Sequence, residues 1–464
     1  MSAAIGHHTA PMHAPSPLPT GDGARAFAFD GAHVVSAAAF AGHVRALAAR
    51  LPRAGFAVNL CEDRYRFLVA FCAVAVRGQV NLLPPTRTRA AIDEVRARHP
   101  DSYCIGDGEA CGCDAGLLPS GSHFVHLPQR LPWLDGPPLR VPDEAVVAIG
   151  FTSGSTGTPM PHAKTLGALR ASTARNLAAL ESLWPAGMQP QVVATVPPQH
   201  MYGIEMSVVL PLLGPVAVHR GRPFFPEDIA RALHEAAAPR LLVTTPVHLR
   251  ALVGSGVALP PMAGIVSATA PLPQALAAEA EACCGCEVRE TFGSTETCII
   301  ASRRAAAGEA WRLFPGVRLE PRPDGTLVTV PGLPAPVLLA DVVELLGEGR
   351  FELRGRQVDL LEIAGKRASL ADLTRRLLEV PGVEDGAVFQ LDDERAGVRR
   401  IAAVYASDTL GEAAVREALR RSIDPVFLPR PLRRVRALPR NDTGKLPRTA
   451  LLRLLQCGED DASR

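Results

Sequence analysis

Long apolar runs are missing from this chain of 464 residues. The apolar run 68–76 ends at Arg77, well short of the roughly 18 residues that a membrane-spanning helix needs. The first residues also lack the basic segment followed by an apolar one that marks a secretory signal. We therefore expect a cytoplasmic protein without a membrane span.

An excess of charge of one sign is also missing. The 49 lysines and arginines nearly balance the 47 aspartates and glutamates, and the net charge is +2. This balance argues against a nucleic-acid-binding protein, whose surface would be strongly basic. The segment 430–448 is a local exception, with seven basic residues and a single acid, Asp442. It could attract an acidic partner, or it could be a solvated face.

The ten cysteines lack the paired CxxC spacing that is typical of zinc sites. They include two clusters, at 111–113 and 283–286, that contain CxC pairs instead. We interpret the cysteines as small, buried side chains, and metal binding by these thiols is the alternative.

The chain is too long for one ordinary hydrophobic core. Residues 1–22 are rich in proline, alanine, histidine and glycine, and we expect a flexible tail there. From 23 to 354, apolar strand-like runs alternate with alanine-rich helical stretches. The clearest strands are 191–196, 240–245 and 264–268, and the clearest helices are 228–237 and 274–283. This alternation predicts a large layered α/β domain with mostly parallel sheets and an active site at the strand ends.

The pattern changes beyond Gly347, and we place the domain boundary at residue 355. The sequence predicts a strand within 351–361, a helix over 370–380 that Ser369 caps, strands at 383–391 and 401–405, and a helix over 411–422. Residues 355–464 are thus predicted to form a small, mobile α+β C-terminal domain. There is no internal repeat.

One segment, 151–160, combines hydroxyl side chains with glycines directly after the apolar run 146–150. Such a loop exposes backbone N–H groups and short hydroxyls, which together can wrap polyphosphate oxygens. It lacks the GxxxxGK[ST] spacing, and Met160 stands where a lysine would be useful. A plain surface loop is the alternative.

Further motifs follow this loop in order. They lie at 197–203, 267–272, 291–296, Asp341, 355–359, 365–367 and 441–445. With the loop, they make the chain resemble the adenylate-forming superfamily of acyl- and aryl-CoA ligases, nonribosomal adenylation domains and luciferases. The resemblance covers about 140–450. The separations of 15 residues from Asp341 to Arg356 and 11 from Arg356 to Arg367 match the pattern of that superfamily.

The resemblance implies a role for each motif. The β- and γ-phosphates of ATP would be held by Thr152, Ser153, Gly154, Ser155, Thr156 and Gly157. Glu296 would help to bind Mg²⁺, Thr295 would contact the α-phosphate, and Thr291 and Phe292 would contribute to nucleotide binding. Asp341 would accept the ribose hydroxyls, Arg356 would assist at the ribose and phosphate, and Arg367 would meet the phosphates in one conformation.

Lys445 would reach from the small domain to bridge the substrate carboxylate and the α-phosphate. Such a cation is needed because two anions must meet, and like charges about 4 Å apart repel by roughly 4 kcal/mol even at an effective dielectric near 20. The adenylate would then pass to the thiol of coenzyme A or to the phosphopantetheine arm of an acyl carrier protein.

Two positions depart from the superfamily pattern. The usual lysine of the phosphate loop is replaced by Met160, and we hypothesise that Lys164 or His162 supplies the missing charge. At the usual hinge the chain has Val358, so the pivot of domain rotation could be displaced toward Gln357 or Asp359.

The acid pocket is expected to contain His200, Tyr202, Gly203, Ser267, Thr269, Thr291 and the turn ending at Cys298. This mixture of an aromatic wall and hydroxyls favours a small aromatic acid over a long alkyl chain. The variant at 161–165 resembles the stand-alone ligases of aryl-polyene and xanthomonadin-type pigment pathways, which load hydroxybenzoate-like starters onto a carrier protein. His200 could instead be a buried structural histidine and Tyr202 ordinary core packing. Short- or medium-chain fatty acid activation and a non-catalytic nucleotide-binding homologue are the alternatives for the whole chain.

Overall fold

The computed structural model describes residues 16–31, 33–84, 87, 89–107, 124–153, 159–356, 360–363, 366–391, 400–423, 425–441 and 446–456. The chain divides into two compact units. The first unit comprises Met1–Thr244, His248–Ser267 and Glu279–Ile299, and the second comprises Thr245–Val247, Ala268–Ala278 and Ile300–Arg464.

The first unit contains a six-stranded sheet. Its strands, in spatial order, are Pro159–Thr165, Val146–Ser153, Val80–Leu83, Phe56–Asn59, Ser102–Gly106 and Phe124–His126. The first pair is antiparallel and the other pairs are parallel. Apolar side chains of this sheet pack on Ile92 and Val95 of one helix, which buries one face of the layer.

A second sheet in the same unit is also mostly parallel. Its strands run in the order Glu287–Ser294, Gly264–Ser267, Arg240–Thr244, Gln191–Ala194, Ala217–His219, Ala26–Asp30 and His33–Ser36. The last pair is antiparallel and the other five pairs are parallel. The carboxyl ends of these six parallel strands therefore lie at one edge, where ligands bind in folds of this type.

Helices connect and cover these strands. The longer ones up to residue 284 are Ala37–Ala48, Arg64–Val76, Arg89–Ala97, Leu166–Leu180, Pro226–Glu235, Pro246–Ser255 and Gln274–Cys284. Their starts follow capping chemistry, since Asp63 accepts the backbone N–H of Arg66 and Thr165 accepts that of Ala168. One further helix, 201–213, contains a π-helical stretch, Ile204–Val209, between two α-helical ends.

The second unit holds antiparallel strands and a small layered core. Its strands include Trp311–Leu313, Arg318–Arg322, Gly325–Thr329, Val337–Leu339, Asp341–Gly347, Arg350–Arg356, Leu360–Ile363, Lys366–Ser369, Asp385–Gln390, Ile401–Ala406 and Leu432–Val435. Strand Cys298–Arg304 begins in the first unit by sequence and ends in the second. Helices Leu370–Leu378 and Glu412–Arg420 cover one face of the sheet 385–390, 401–406 and 432–435, and helix Arg448–Gln456 covers the other.

The predicted fold class is confirmed. The mostly parallel sheets, the helices 226–235 and 274–284 and the small α+β region near the C-terminus all lie where the sequence indicated. Helices 370–378 and 412–420 and strands 385–390 and 401–406 likewise match within a few residues. The domain boundary at residue 355 stays a prediction.

Two expectations need correction. The flexible tail predicted over 1–22 is too long, because strand Ser16–Leu18 pairs with Leu139–Val141 and Leu18 is buried. Four cysteines are buried as expected, namely Cys61, Cys72, Cys104 and Cys298. Cys283 is exposed and Cys284 and Cys286 are partly exposed, since helix 274–284 ends at the surface, whereas Cys111 and Cys113 lie outside the described residues.

A search of the described helices for a bilayer-spanning segment found none with the required length and hydropathy.

Candidate active site

The hydroxyl-rich segment belongs to a β-hairpin. Strand Val146–Ser153 runs three residues beyond the predicted end at 150, so Thr152 and Ser153 lie in the strand instead of in the loop. Its antiparallel partner places Met160 opposite Thr152 and His162 opposite Gly150. The connecting residues 154–158 lie outside the described residues, and with them Gly154, Ser155, Thr156 and Gly157.

The turn that contains Glu296 packs on one face of this hairpin. A Cβ atom on Gly150 would lie 2.8 Å from Cγ2 of Thr295, so the glycine leaves the space that the threonine methyl group occupies. His162 Nε2 lies 3.1 Å from Oγ1 of Thr152 and 3.5 Å from Oε1 of Glu296. The structure therefore brings together two predicted phosphate-binding motifs that are more than a hundred residues apart in sequence.

Lys164 lies deeper in the same arrangement. Its side chain is only 1% exposed, and its Nζ atom donates a hydrogen bond of 2.7 Å to the main-chain oxygen of Glu296. This bond fixes the backbone at the residue expected to bind Mg²⁺. Lys164 thus positions Glu296, and its ammonium group is already engaged below the hairpin surface.

His162 is the more accessible of the two residues considered as replacements for the missing loop lysine. Its side chain is about one-fifth exposed (22%). Burial lowers the pKa of His162 from 6.5, Glu296 partly offsets this effect, and Lys164 lowers the pKa further. Because His162 is therefore largely neutral at pH 7, it offers a hydrogen bond to the site more than a positive charge.

A buried carboxylate binds the backbone just after this turn, and it was not predicted from the sequence. Glu205 lies in the π-helical stretch and is 2% exposed. It accepts a hydrogen bond of 2.6 Å from the Ser172 hydroxyl and bonds of 3.1 Å from the N–H of Ile299. Burial raises the pKa of Glu205, while Ser172, Ile299 and Lys164 act in the opposite direction. The feature of the sequence that could have revealed Glu205 is the presence of an acidic residue inside the apolar run 204–213.

The 197–203 motif is folded tightly against its own backbone. The Nδ1 atom of His200 accepts the N–H of Tyr202 at 3.4 Å and begins the helix. The Tyr202 side chain is buried, and its hydroxyl donates to the main-chain oxygen of Val266 at 3.0 Å. A Cβ atom on Gly203 would lie 1.9 Å from the Pro197 oxygen. Tyr202 and Gly203 thus have packing roles, whereas His200 is only half-buried.

Hydroxyl side chains mark the carboxyl ends of the parallel strands. Thr195 Oγ1 lies 3.1 Å from Thr244 Oγ1 and 3.1 Å from His248 Nδ1. Ser267 and Thr291 are also buried, but their hydroxyl oxygens have no hydrogen-bond partner within the described part of the chain. A buried hydroxyl without a partner costs about 1–3 kcal/mol, so these two atoms are candidates for ligand contacts.

The register separates those two hydroxyls. Ser267 pairs with Glu290 across parallel strands, and side chains alternate between the two faces of a sheet. Thr291 therefore points to the face opposite to that of Ser267. Ser267 and Thr291 therefore do not both face the acid pocket that was predicted from the sequence.

The predicted ribose-binding residues lie in the second unit. Asp341 begins a strand and pairs directly with Arg356 on the neighbouring antiparallel strand. The Thr326 hydroxyl donates to the main-chain oxygen of Asp341 at 2.6 Å. Arg367 pairs with Glu362 in a separate hairpin. The pairing thus brings together two of the predicted nucleotide-binding residues.

The other predicted site positions are Thr269, Phe292, Lys445 and the hinge positions 357–359. Thr269 adopts a φ of 82°, which is unusual for a β-branched residue and is typical of backbone held at a functional site. Phe292 lies in strand Glu287–Ser294. Lys445 and the hinge positions 357–359 lie outside the described residues.

A second cluster of titratable groups, Asp30, His219 and Glu235, lies away from these motifs in sequence. The N–H of Gly221 donates to Nδ1 of His219 at 3.1 Å, which leaves the proton on Nε2. That atom lies 2.9 Å from Oε2 of Glu235. The arrangement is therefore a satisfied hydrogen-bond network.

Comparison with known proteins settles the family. Residues 22–350 match the AMP-binding enzyme family, and residues 375–445 match the AMP-binding enzyme C-terminal domain. The chain belongs to the AMP-binding enzyme family. It is an enzyme of the AMP-forming acid–CoA ligase type, as the resemblance implied.

Three relatives illustrate the relationship. The chain is 33% identical to a 4-coumarate–CoA ligase of Rhodobacter capsulatus over 307 residues, which are 66% of this chain and 76% of that protein. It is 28% identical to a probable 2-succinylbenzoate–CoA ligase of Mycobacterium tuberculosis over 69% of this chain and 87% of that protein. The fold is similar to that of ATP-bound MatB from Rhodopseudomonas palustris, with a TM-score of 0.77, 20% identity, and 93% and 95% coverage of the two chains.

Replacing Lys164 tests the positioning of Glu296 in this AMP-binding enzyme. In Lys164→Met the Glu296 carbonyl loses its buried donor, and we expect the free energy of unfolding to fall by about 1–3 kcal/mol. The KM for ATP should rise as well. Denaturant unfolding and pyrophosphate-exchange kinetics measure the two effects, with Arg420→Met, at an exposed ion pair, as the control. A variant as stable as the control, with an unchanged KM for ATP, would contradict this role.

Glu205 should make stability depend on pH. Because its pKa is raised in the folded state, its contribution is fully present below the unfolded value near 4.5 and is lost as the pH rises through the raised value. Glu205→Gln cannot ionise, so this part of the decline should disappear. Unfolding free energies between about pH 5 and pH 8 measure it, with the exposed Glu417→Gln as the control. Equal slopes in the wild type and Glu205→Gln would refute the assignment.

Proposed function

We propose that this chain uses ATP to convert a small aromatic carboxylic acid, such as a hydroxybenzoate or hydroxycinnamate, to an acyl-adenylate, and then transfers the acyl group to a thiol. The observation that carries the adenylation step is the convergence of Thr152, His162 and Glu296 on one face of the hairpin. Hydroxyl and imidazole groups can donate hydrogen bonds to the phosphates of ATP, and the neighbouring carboxylate can bind the cation that accompanies them. Because ATP and coenzyme A are found in the cytoplasm, we also propose a cytoplasmic location for this enzyme.

The chemistry requires a carboxylate oxygen to attack the α-phosphorus while pyrophosphate leaves. Thr152 and the adjoining loop would hold the β- and γ-phosphates, and Thr295 would contact the α-phosphate. Lys445 would bridge the two reacting anions, which is the stabilisation that such a step needs most. Asp341 and Arg356, paired on adjacent strands, would hold the ribose. Arg367 would meet the phosphates in another conformation of the small domain.

The donor set fits Mg²⁺. Glu296 offers a carboxylate that is about one-quarter exposed (26%), and carboxylate and phosphate oxygens are the ligands that this hard cation prefers. When bound, Mg²⁺ would neutralise phosphate charge. Lys164 would keep Glu296 in place through the main-chain hydrogen bond.

Two observations support an aromatic acid. Relatives with about 30% identity are named for 4-coumarate and 2-succinylbenzoate, both of which contain a benzene ring. Ser267 and Thr291 each have a buried hydroxyl without a partner among the described residues, and since the two point to opposite faces of the sheet, one of them would contact the acid. His200 is the residue of the 197–203 motif most available to contact the acid, because the Tyr202 hydroxyl is bound to Val266.

Coenzyme A is the favoured acceptor. The relatives are named as CoA ligases. Several arginines of the basic segment 430–448 are bound within their own unit. Arg440 forms bonds of 2.7 and 2.5 Å to Asp385, and Arg434 donates to the Ser407 oxygen at 2.7 Å. The ion pair with Asp385 compensates the charge of Arg440, so the segment attracts an acidic carrier protein less strongly. Loading of a carrier in a pigment pathway is the narrower proposal, and it rests on the resemblance at 161–165.

A panel of acids tests the substrate class. We expect ATP–pyrophosphate exchange with hydroxybenzoates or 4-coumarate and little with octanoate. The reverse order would support the fatty-acid alternative and refute the aromatic one. Exchange with neither class would refute both candidate substrate classes. Repeating the active reaction with coenzyme A and with a phosphopantetheinylated carrier protein then identifies the acceptor.

Lys445 tests the mechanism. Lys445→Ala should lower the rate of adenylate formation by about 10²–10³-fold, because it removes a transition-state cation. The thioester-forming step, started from chemically prepared acyl-adenylate, should change much less. Arg436→Ala, in the same basic segment, is the control. Equal losses in both half-reactions would contradict the role of Lys445.

A further inference from the structure

Arg64 is a charged side chain that the adenylation chemistry does not use. It is the first residue of helix Arg64–Val76 and is fully buried. Its hydrogen-bond partners are neutral oxygens, and its Nε atom has no partner among the described residues. Burial lowers the pKa of the Arg64 guanidinium to about 9; the charge of Arg222 acts in the same direction and that of Asp63 in the opposite one.

The guanidinium instead binds main-chain oxygens at the end of a strand. Its Nη2 atom donates to the oxygens of Ala194 at 2.7 Å and of Val196 at 2.9 Å. These two carbonyls flank Thr195, where the strand ends and the 197–203 motif begins. One planar group therefore fixes the direction in which the chain leaves the sheet.

The same guanidinium also reaches the far end of the motif. Its Nη1 atom donates to the Ser207 hydroxyl, which donates in turn to the main-chain oxygen of Gly203 at 2.7 Å. Gly203 packs closely against the Pro197 oxygen. Arg64 thus holds both the beginning and the end of the segment that contains His200.

We propose that Arg64 is a positioning residue for the acid pocket, which sets the conformation of residues 197–203 by binding the backbone before this segment and Ser207 after it. The inference rests on the proposed role of His200 in acid binding. A buried charge with neutral partners is costly, and here it is compensated by oriented carbonyl dipoles. The arrangement requires the forked geometry of arginine, which a lysine cannot reproduce.

Arg64→Lys keeps the charge and removes the fork. Since small misplacements of a binding group cost up to about a hundredfold in rate, we expect the KM for the acid to rise about tenfold or more. The KM for ATP should stay within about twofold of the wild type, because Arg64 donates its hydrogen bonds to Ala194, Val196 and Ser207 and not to the predicted phosphate-binding residues that the structure describes. A purely structural loss would lower the active fraction and leave both KM values unchanged.

Arg66→Lys is the matched control. Arg66 lies on the same helix and also donates to two main-chain oxygens, those of Leu127 and Gln129. These belong to a segment outside the proposed pocket. The control should leave both KM values within about twofold of the wild type. An increase in the acid KM that is equal in Arg64→Lys and Arg66→Lys would overturn the proposal.

Amide hydrogen exchange tests the inference independently of activity. Peptides covering 197–203 should exchange faster in Arg64→Lys than in the wild type or in Arg66→Lys. If Arg64→Lys does not fold, Ser207→Ala removes the second attachment alone and should also speed exchange there. Unchanged exchange in the variant that folds would refute the proposal. If the wild type catalyses no ATP–pyrophosphate exchange, the proposed function is refuted. The amide hydrogen exchange of 197–203 would still decide the role of Arg64.

Discussion

The seating of the Thr295–Glu296 turn on the β-hairpin is the contact on which the candidate site depends. It requires the absence of a side chain at Gly150, the threonine methyl group that fills this space, and the buried bond from Lys164 to the Glu296 oxygen. A strand and a turn distant in sequence are thereby held within hydrogen-bond distance. Phosphate-binding groups gain from such preorganisation, because no reorganisation is then needed when charge develops.

Buried charged residues stabilise this arrangement. Lys164, Glu205 and Arg64 are each almost fully buried, and each binds main-chain groups. Hydrogen bonds of this kind are strong in a medium of low dielectric, and an incomplete set would be costly. These residues therefore fix the backbone next to the segment 197–203 and within 296–299.

Much of this could be predicted from the sequence. The alternation of apolar runs and alanine-rich stretches predicted the layered fold, and the ordered motifs indicated the family. Local signals of this kind need only neighbouring residues. The resemblance indicated the separation of Asp341 and Arg356 in sequence, whereas their pairing on adjacent antiparallel strands is seen only in the structure.

Other features depend on contacts between distant parts of the chain. The sequence could not show that Lys164 faces inward, because its direction follows from the register of strand Pro159–Thr165. Nor could it show that Ser267 and Thr291 point to opposite faces, since this depends on the pairing of two strands. The burial of Arg64 was not predicted either. Its real partners are more than a hundred residues away.

The π-helical stretch Ile204–Val209 affects which changes of sequence this helix can accept. A π-helical stretch contains one residue more than the α-helix it interrupts, and the extra residue changes the direction of every side chain around it. Glu205 and Ser207 lie within this stretch, and each binds a distant group, Glu205 the N–H of Ile299 and Ser207 the guanidinium of Arg64. Loss of a single residue here would restore ordinary helical phase and separate one of them from its partner. Insertions and deletions should therefore be tolerated less well in this helix than substitutions.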